Sequence, residues 1–470
     1  MIQGYPDRAS VTPGDDLVLH VSTDARAFRV QLYRCGPRMT PMGASGWLEG
    51  RHCPDHLPHQ DWGRDGVGLR GEDLPGWPAY PLPIPHAWPS GAYIAVLVEG
   101  DGDENHLDPA DVRTPDARGA RALFVVKGVA SGNSPAILYK VPLLTYHAYN
   151  QVSQQAYDPV TQRGGWSLYT VPGPGDVPTA VPPAMSLHRP GGGTGGTPSD
   201  IWNFDPFDPT PRQTFVHWDA PFIAWLESNG YQLDYCTDID LHDDVELELL
   251  SRYRLLVSVG HDEYWSDSMR DNVERFVGGG DNVAFFGGNT CWWRIVFDDG
   301  VTFRRVAPWS DPQGPNRPEN TLTGVSFRNG GERDLDHHPI PVGYRVQHAD
   351  HWAYEGTGLT DGTVFGDRAG EYLVGYECDG AAFRRGGVGG APVRPTGEDG
   401  TPEGFTILGI GDVAASGWGI GNAAATMGAY RDNGTVFTAA TTDWARVLGR
   451  GQNPAVEQIT ANVVDRLAQR

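Results

Sequence analysis

Four polar residues in one short stretch could do chemistry together. His261, Asp262 and Glu263 stand directly after an apolar run at 255–259, and Asn289 stands directly after a second run at 282–286. A histidine and two carboxylates can hold or move a proton, bind a cation, or both, and an asparagine amide can donate to a developing oxyanion. Between the two runs, Met269, Val273, Phe276 and Val277 recur at helical spacing, with Ser266 and Asp267 as N-cap candidates and Gly278, Gly279 and Gly280 as the stop. That is a β-α-β unit, whose strands are expected to be parallel and adjacent. Sites in open parallel sheets form beyond the carboxyl ends of the strands, so the four polar side chains share one rim.

The chemistry left open by these residues is bounded by what is missing. His261 and Glu263 do not form HExxH, and GGGDN and FFGGN are not GxGxxG. Walker and GxSxG patterns are absent. Cys291 follows the second strand with a histidine on the neighbouring one, so a cysteine nucleophile is one alternative; a small buried hydrophobe is the other. His337, His338, His348 and His351 lie in loop-like surroundings without cysteine partners and are expected to be solvated.

The elements that must position the rim follow from the rest of the chain. Residues 16–21, 28–33, 92–98 and 122–126 alternate as strands, and no useful helical period precedes residue 129. A small immunoglobulin-like β-sandwich is expected over 1–128, with a Pro-, Gly- and Trp-rich insertion near 52–89. From 129 to 470 strands and helices alternate, predicting an α/β domain with insertions near 171–212, 301–350 and 386–404. Its expected strands are 136–144, 233–237, 372–377, 405–410 and 435–439. Its expected helices are 222–230, 245–250 and 454–468, the last with Asn453 as N-cap and Pro454 in the first turn. The 62 glycines and 38 prolines agree with long loops. A net charge of -23 argues against nucleic acid or an anionic membrane as partner. No apolar run is long enough to span a membrane, and MIQGYPDRAS has no secretory character. Five cysteines without a CxxC pair fit a reducing cytoplasm.

The chain resembles the large-subunit (beta) family of N,N-dimethylformamidase. The likeness rests on TYHAYN (145–150), GGWSLY (164–169), the run 217–242 beginning HWDAPF, GHDEYW (260–265), FFGGNTCWWR (285–294) and TVFTAATTDWARVL (435–448). It implies a β-sandwich beside a glutamine-amidotransferase-like, Rossmann-like α/β domain. It also implies a single iron held by two tyrosines and a glutamate. Carried over, the glutamate is Glu263 and the tyrosines are Tyr149 and Tyr169, with Tyr146, Tyr157 and Tyr264 as competitors. His261 and Asn289 match family residues that bind and polarise the substrate, and Glu377 matches a glutamate acting on water or the leaving amine.

The implied chemistry is coherent. A phenol with a pKa of ~10 becomes a ligand near neutrality only beside a strongly acidic cation. Two phenolates and a carboxylate suit ferric iron better than zinc. The expected reaction is hydrolysis of an amide carbon–nitrogen bond, with a small-molecule amide as substrate. A small companion subunit, as in the family, and a homo-oligomer are both open. The competing reading is a carbohydrate- or small-molecule-binding protein without catalysis, its aromatics forming a sugar platform.

Overall fold

The computed structural model describes residues 2–53, 77–100, 112, 119–129, 135–150, 152, 168, 184–194, 212–333, 340–384, 393–413 and 423–469. The protein is a mixed α/β structure in which sheet predominates. At the N-terminus, strands Ile2–Pro6, Asp16–Thr23 and Ala79–Pro83 form one antiparallel sheet. A second sheet places Ser10–Val11, Arg121–Val126, Gly91–Glu99, Ala27–Arg34 and Thr40–Ala44 side by side. Alternate residues of both sheets, among them Leu17, Leu19, Val30, Leu32, Tyr93 and Phe124, meet in one core.

The rest of the chain is built on a nine-stranded sheet. Its parallel part runs in the order Leu233–Thr237, Ile137–Val141, Leu255–His261, Asn282–Gly288, Thr435–Thr438. Ala424–Arg431, Thr406–Asp412, Tyr344–Val346 and Val364–Phe365 then extend it antiparallel. The two strands expected to be neighbours are neighbours, with His261 opposite Gly288 in register. The helix between them, Asp267–Gly278, starts where Ser266 Oγ accepts the Met269 N–H at 3.2 Å and buries Met269, Val273, Phe276 and Val277.

Some expectations are corrected. The apolar run 136–144 splits into the strand Ile137–Val141 and the helix Leu143–Ala148, because Pro142 interrupts the ladder. Residues 245–250 form no α-helix; 245–249 are turns, and a short 3₁₀ helix, Leu250–Arg252, follows. The run 372–377 is not one strand: Glu371–Tyr372 pairs elsewhere, and Glu377 opens the strand Glu377–Gly380 instead of closing one. The insertion expected over 301–350 contains strands Thr302–Pro308, Ser326–Glu332 and Tyr344–Val346. Among the described residues no helix is long and apolar enough to cross a membrane.

One buried cation holds the carboxyl ends of the central strands in place. Lys140 Nζ lies 2.7 Å from Asp238 Oδ1 and 2.6 Å from Asp262 Oδ1, and it sits over the Trp265 ring. Burial alone would push the ammonium's pKa down, but the two aspartates outweigh it and hold it above its ordinary value. Burial pushes Asp238 up to about 6 against the pull of Lys140. Removing one partner of a buried ion cluster strands the others in low dielectric. Lys140→Met is therefore expected to destabilise the protein by roughly 3–5 kcal/mol in urea unfolding, with part of the loss recovered when Asp238 and Asp262 also become Asn. A loss below ~1 kcal/mol would show that the cluster does not hold the strand ends.

Candidate active site

The strand Leu255–His261 ends on a buried histidine, and Asp262 and Glu263 continue into the rim. The helix Leu143–Ala148 comes up beside it. Pro142 gives that helix no side-chain cap, so a neighbouring carboxylate supplies one: Asp238 Oδ2 accepts the Leu144 N–H at 2.8 Å. Thr145 Oγ1 accepts the Glu263 N–H at 2.9 Å, stitching helix to rim. Tyr149, one residue past the helix, then donates its hydroxyl to Glu263 Oε2 at 2.9 Å.

His261 is the hub. Its Nδ1 lies 3.0 Å from Gln213 Oε1, an amide oxygen that can only accept, so Nδ1 carries a proton. Its Nε2 lies 2.7 Å from Glu377 Oε2 and 3.4 Å from Glu263 Oε2. A contact of 2.7 Å between imidazole nitrogen and carboxylate oxygen holds a proton between them. Gln213 is oriented in turn by donating to Tyr376 Oη at 3.2 Å. The Trp218 and Tyr376 rings stand edge-on to the imidazole and wall it from the core side.

Asn289 enters from the neighbouring strand. Its φ of 50° places it in the left-handed region, which asparagine tolerates better than most residues. The turn is pinned by Asp379, whose Oδ1 accepts the Asn289 N–H at 3.0 Å and whose Oδ2 accepts the Thr290 N–H at 3.2 Å. Gly288 is required just before it, since a Cβ there would lie 2.5 Å from the Glu377 carbonyl oxygen. The Asn289 amide donates to Glu377 Oε2 at 3.0 Å and lies 3.3 Å from His261 Nε2, while its own Oδ1 is buried without a partner among the described residues.

His261, Glu263, Asn289, Glu377 and Tyr149 therefore meet in one place, although they come from four separate parts of the chain. Tyr169 and Tyr157 lie outside the described residues. Of the competing tyrosines, Tyr146 is buried and donates its hydroxyl to Asp219, and Tyr264 is buried beside Phe303. Cys291 is a core residue packed with Trp265, Met269 and Trp309 in the same cluster; burial pushes its thiol well up, the wrong direction for a nucleophile. His351 accepts the Ala353 N–H through Nδ1 and caps a 3₁₀ turn away from the site, while His337 and His338 fall outside the described residues. Sequence reasoning missed Gln213, Thr145, Tyr376 and Asp379. Each is recognisable only by what it touches.

No group of three or more His, Cys, Asp or Glu side chains among the described residues forms a metal cage. A mixed oxygen set is different. Tyr149 Oη and Glu263 Oε2 stand 2.9 Å apart, about the spacing of adjacent oxygens around one octahedral ion with ligands at ~2.1 Å. The donors present fit a hard cation.

The profile of the family described as "N,N-dimethylformamidase beta subunit-like, C-terminal" matches residues 58–457, which span every residue of this site. The chain belongs to that family. It is 28% identical over 206 residues to the N,N-dimethylformamidase beta subunit of Alcaligenes sp, covering 36% of this chain and 26% of that protein. It is 30% identical over 92 residues to the namesake subunit of Paracoccus aminophilus, covering 18% of this chain and 12% of the relative. The aligned stretches thus span about a quarter or less of the family members they match.

Behind the site, Asp219 is fully buried and accepts from the hydroxyls of Tyr139 (2.8 Å) and Tyr146. Burial raises its carboxyl from 3.8 to about 7, against the two hydroxyls and Lys140. A folded-state pKa above the unfolded one gives stability that is full at low pH and is lost as pH rises through the folded value. The stability of the wild type relative to Asp219→Asn is expected to fall between pH ~4 and ~7, by a few kcal/mol at about 1.4 kcal/mol per unit. Urea midpoints across that range check it; a difference independent of pH would contradict it.

Proposed function

We propose that this chain hydrolyses the carbon–nitrogen bond of a small amide, with a mononuclear ferric ion held by Tyr149, Glu263 and Tyr169. The reading is supported most by one observation: the Tyr149 hydroxyl and the Glu263 carboxylate meet at 2.9 Å beside a histidine whose Nε2 lies 2.7 Å from Glu377. Membership of a family whose curated relatives are named as dimethylformamidase subunits agrees with it. Iron bound there would act as a Lewis acid toward a carbonyl and lower the pKa of a water.

The chain's own residues account for the rest. Gln213 fixes the His261 ring by taking Nδ1–H, which leaves Nε2 and Glu377 to carry one proton between them. As the water oxygen bonds to the carbonyl carbon, the Asn289 amide is placed to donate to the carbonyl oxygen as it gains charge. When the C–N bond breaks, the His261–Glu377 pair delivers its proton to the departing nitrogen and takes one from the adding water. Trp218 and Tyr376 keep bulk water from the back of the imidazole.

In this reading residues 1–128 are an immunoglobulin-like sandwich and 129–470 a glutamine-amidotransferase-like catalytic domain acting in the cytoplasm. The relatives are named as beta subunits, so a small companion subunit belongs to the proposal.

Purified protein is expected to contain one iron and show a visible phenolate-to-iron band, both lost in Glu263→Ala, with the band weakened in Tyr169→Phe. His261→Ala and Glu377→Gln are expected to keep the metal and lower amine release from an amide panel roughly 100-fold or more. Iron-free protein hydrolysing amides at full rate would overturn the metal assignment. A His261→Ala variant with unchanged amine release would overturn the proton relay.

A further inference from the structure

A cavity of about 180 Å³ lies between the N-terminal sheets and the α/β unit, with Tyr5, Leu123, Leu143, His147, His188 and Arg189 in its wall. Arg189 is 1% exposed. Its Nη2 donates to the Asn150 carbonyl at 2.9 Å and its Nη1 contacts the Met185 sulfur, while Nε has no partner among the described residues. Two other buried arginines have a carboxylate: Arg446 Nη1 meets Asp443 at 2.9 Å and Arg270 Nε meets Glu274 at 2.9 Å. Among the described residues no carboxylate pairs with Arg189. Asp7 also lines the cavity, but its carboxylate takes Arg8 and the Val18 N–H. A second buried polar atom, His147 Nδ1, is likewise without a partner among the described residues.

Proteins pair a buried cation or keep it in water, because leaving it uncompensated in low dielectric is costly. Burial pushes the Arg189 guanidinium down only to about 9, so it is still charged at neutral pH. We propose that this cavity binds a small oxyanion, a carboxylate or an inorganic oxyanion of similar size, with Arg189 supplying the charge. A planar guanidinium matches two oxygens of one anion, and His147 Nδ1 accepts from an O–H of the ligand or of a water beside it. At ~30 Å³ per water, the volume admits an anion of a few heavy atoms with some hydration and excludes a nucleotide. The site is separate from the His261 cluster, and its occupancy is read by binding alone, whatever reaction the chain performs. Asn150, which Arg189 holds, directly follows Tyr149 in sequence, so the anion would also brace that turn.

Calorimetric titration of the full chain with formate, acetate, phosphate and sulfate, against sodium chloride at matched ionic strength, tests the proposal. At least one oxyanion is expected to bind saturably at one site. Binding is expected to weaken roughly tenfold or more both in Arg189→Met and in Val301→Phe, which narrows the cavity from its half-buried wall and leaves Arg189 in place. Preference for the carboxylates or for the tetrahedral anions identifies the natural source, and either preference supports the site. Should Arg189→Met fail to fold, Val301→Phe decides alone. Binding no stronger than the chloride control, or unchanged in Val301→Phe, would overturn the proposal.

Discussion

The ammonium of Lys140 ties together the two segments that build the site. Through Asp238 it reaches the Leu144 N–H and so the start of the helix that leads to Tyr149. Through Asp262 it fixes the residue between His261 and Glu263, with Ser258 Oγ donating to the other Asp262 oxygen at 2.6 Å. Neither aspartate touches Tyr149 or the imidazole. They set the relative height of two strand ends and a helix, and the 2.9 Å approach of Tyr149 to Glu263 depends on that height. Buried ion clusters often add little net stability compared with an apolar core, but they punish misregistration because a displaced charge loses its partners. Here that penalty falls where two groups must meet to within a few tenths of an ångström.

Around this cluster the rim is organised by accepting groups placed opposite backbone N–H donors. Asp379 holds the Asn289 turn and Thr145 holds Glu263. Asp443 takes the Tyr376 N–H at 3.3 Å, and Tyr376 in turn orients Gln213. Burial would push the Asp443 carboxyl up, but Arg446, Arg212 and His217 outweigh it and hold it below the usual range, so it stays an acceptor. The consequence is a histidine with one nitrogen committed to an amide oxygen and the other free to exchange a proton with a carboxylate.

The parts of this arrangement legible in the sequence are those with local causes. Helical spacing at Met269, Val273, Phe276 and Val277, the Ser266 cap and the glycine stop are local, and the β-α-β unit followed from them. His261, Glu263 and Asn289 were visible because strand ends in a parallel sheet face one rim. What escaped depends on tertiary contact. Leu143 and Leu144 extend an apolar run and read as strand, yet they form helix because Asp238, far along the chain, caps them. Gln213, with a φ of 62°, sits in a proline-rich stretch whose composition says nothing of a partner. Glu377 was placed through family likeness and assigned to the end of a strand; it opens one, and pairing of that strand with Ser326–Glu332 carries its carboxylate toward His261.

The central claim is that Tyr149 and Glu263 are two donors to one ion beside the His261–Glu377 pair. Diffraction data collected on either side of the iron absorption edge test it most directly. The account predicts a single anomalous peak within bonding distance of the Tyr149 hydroxyl and the Glu263 carboxylate. A peak at any other place, or active crystals showing none, would contradict it.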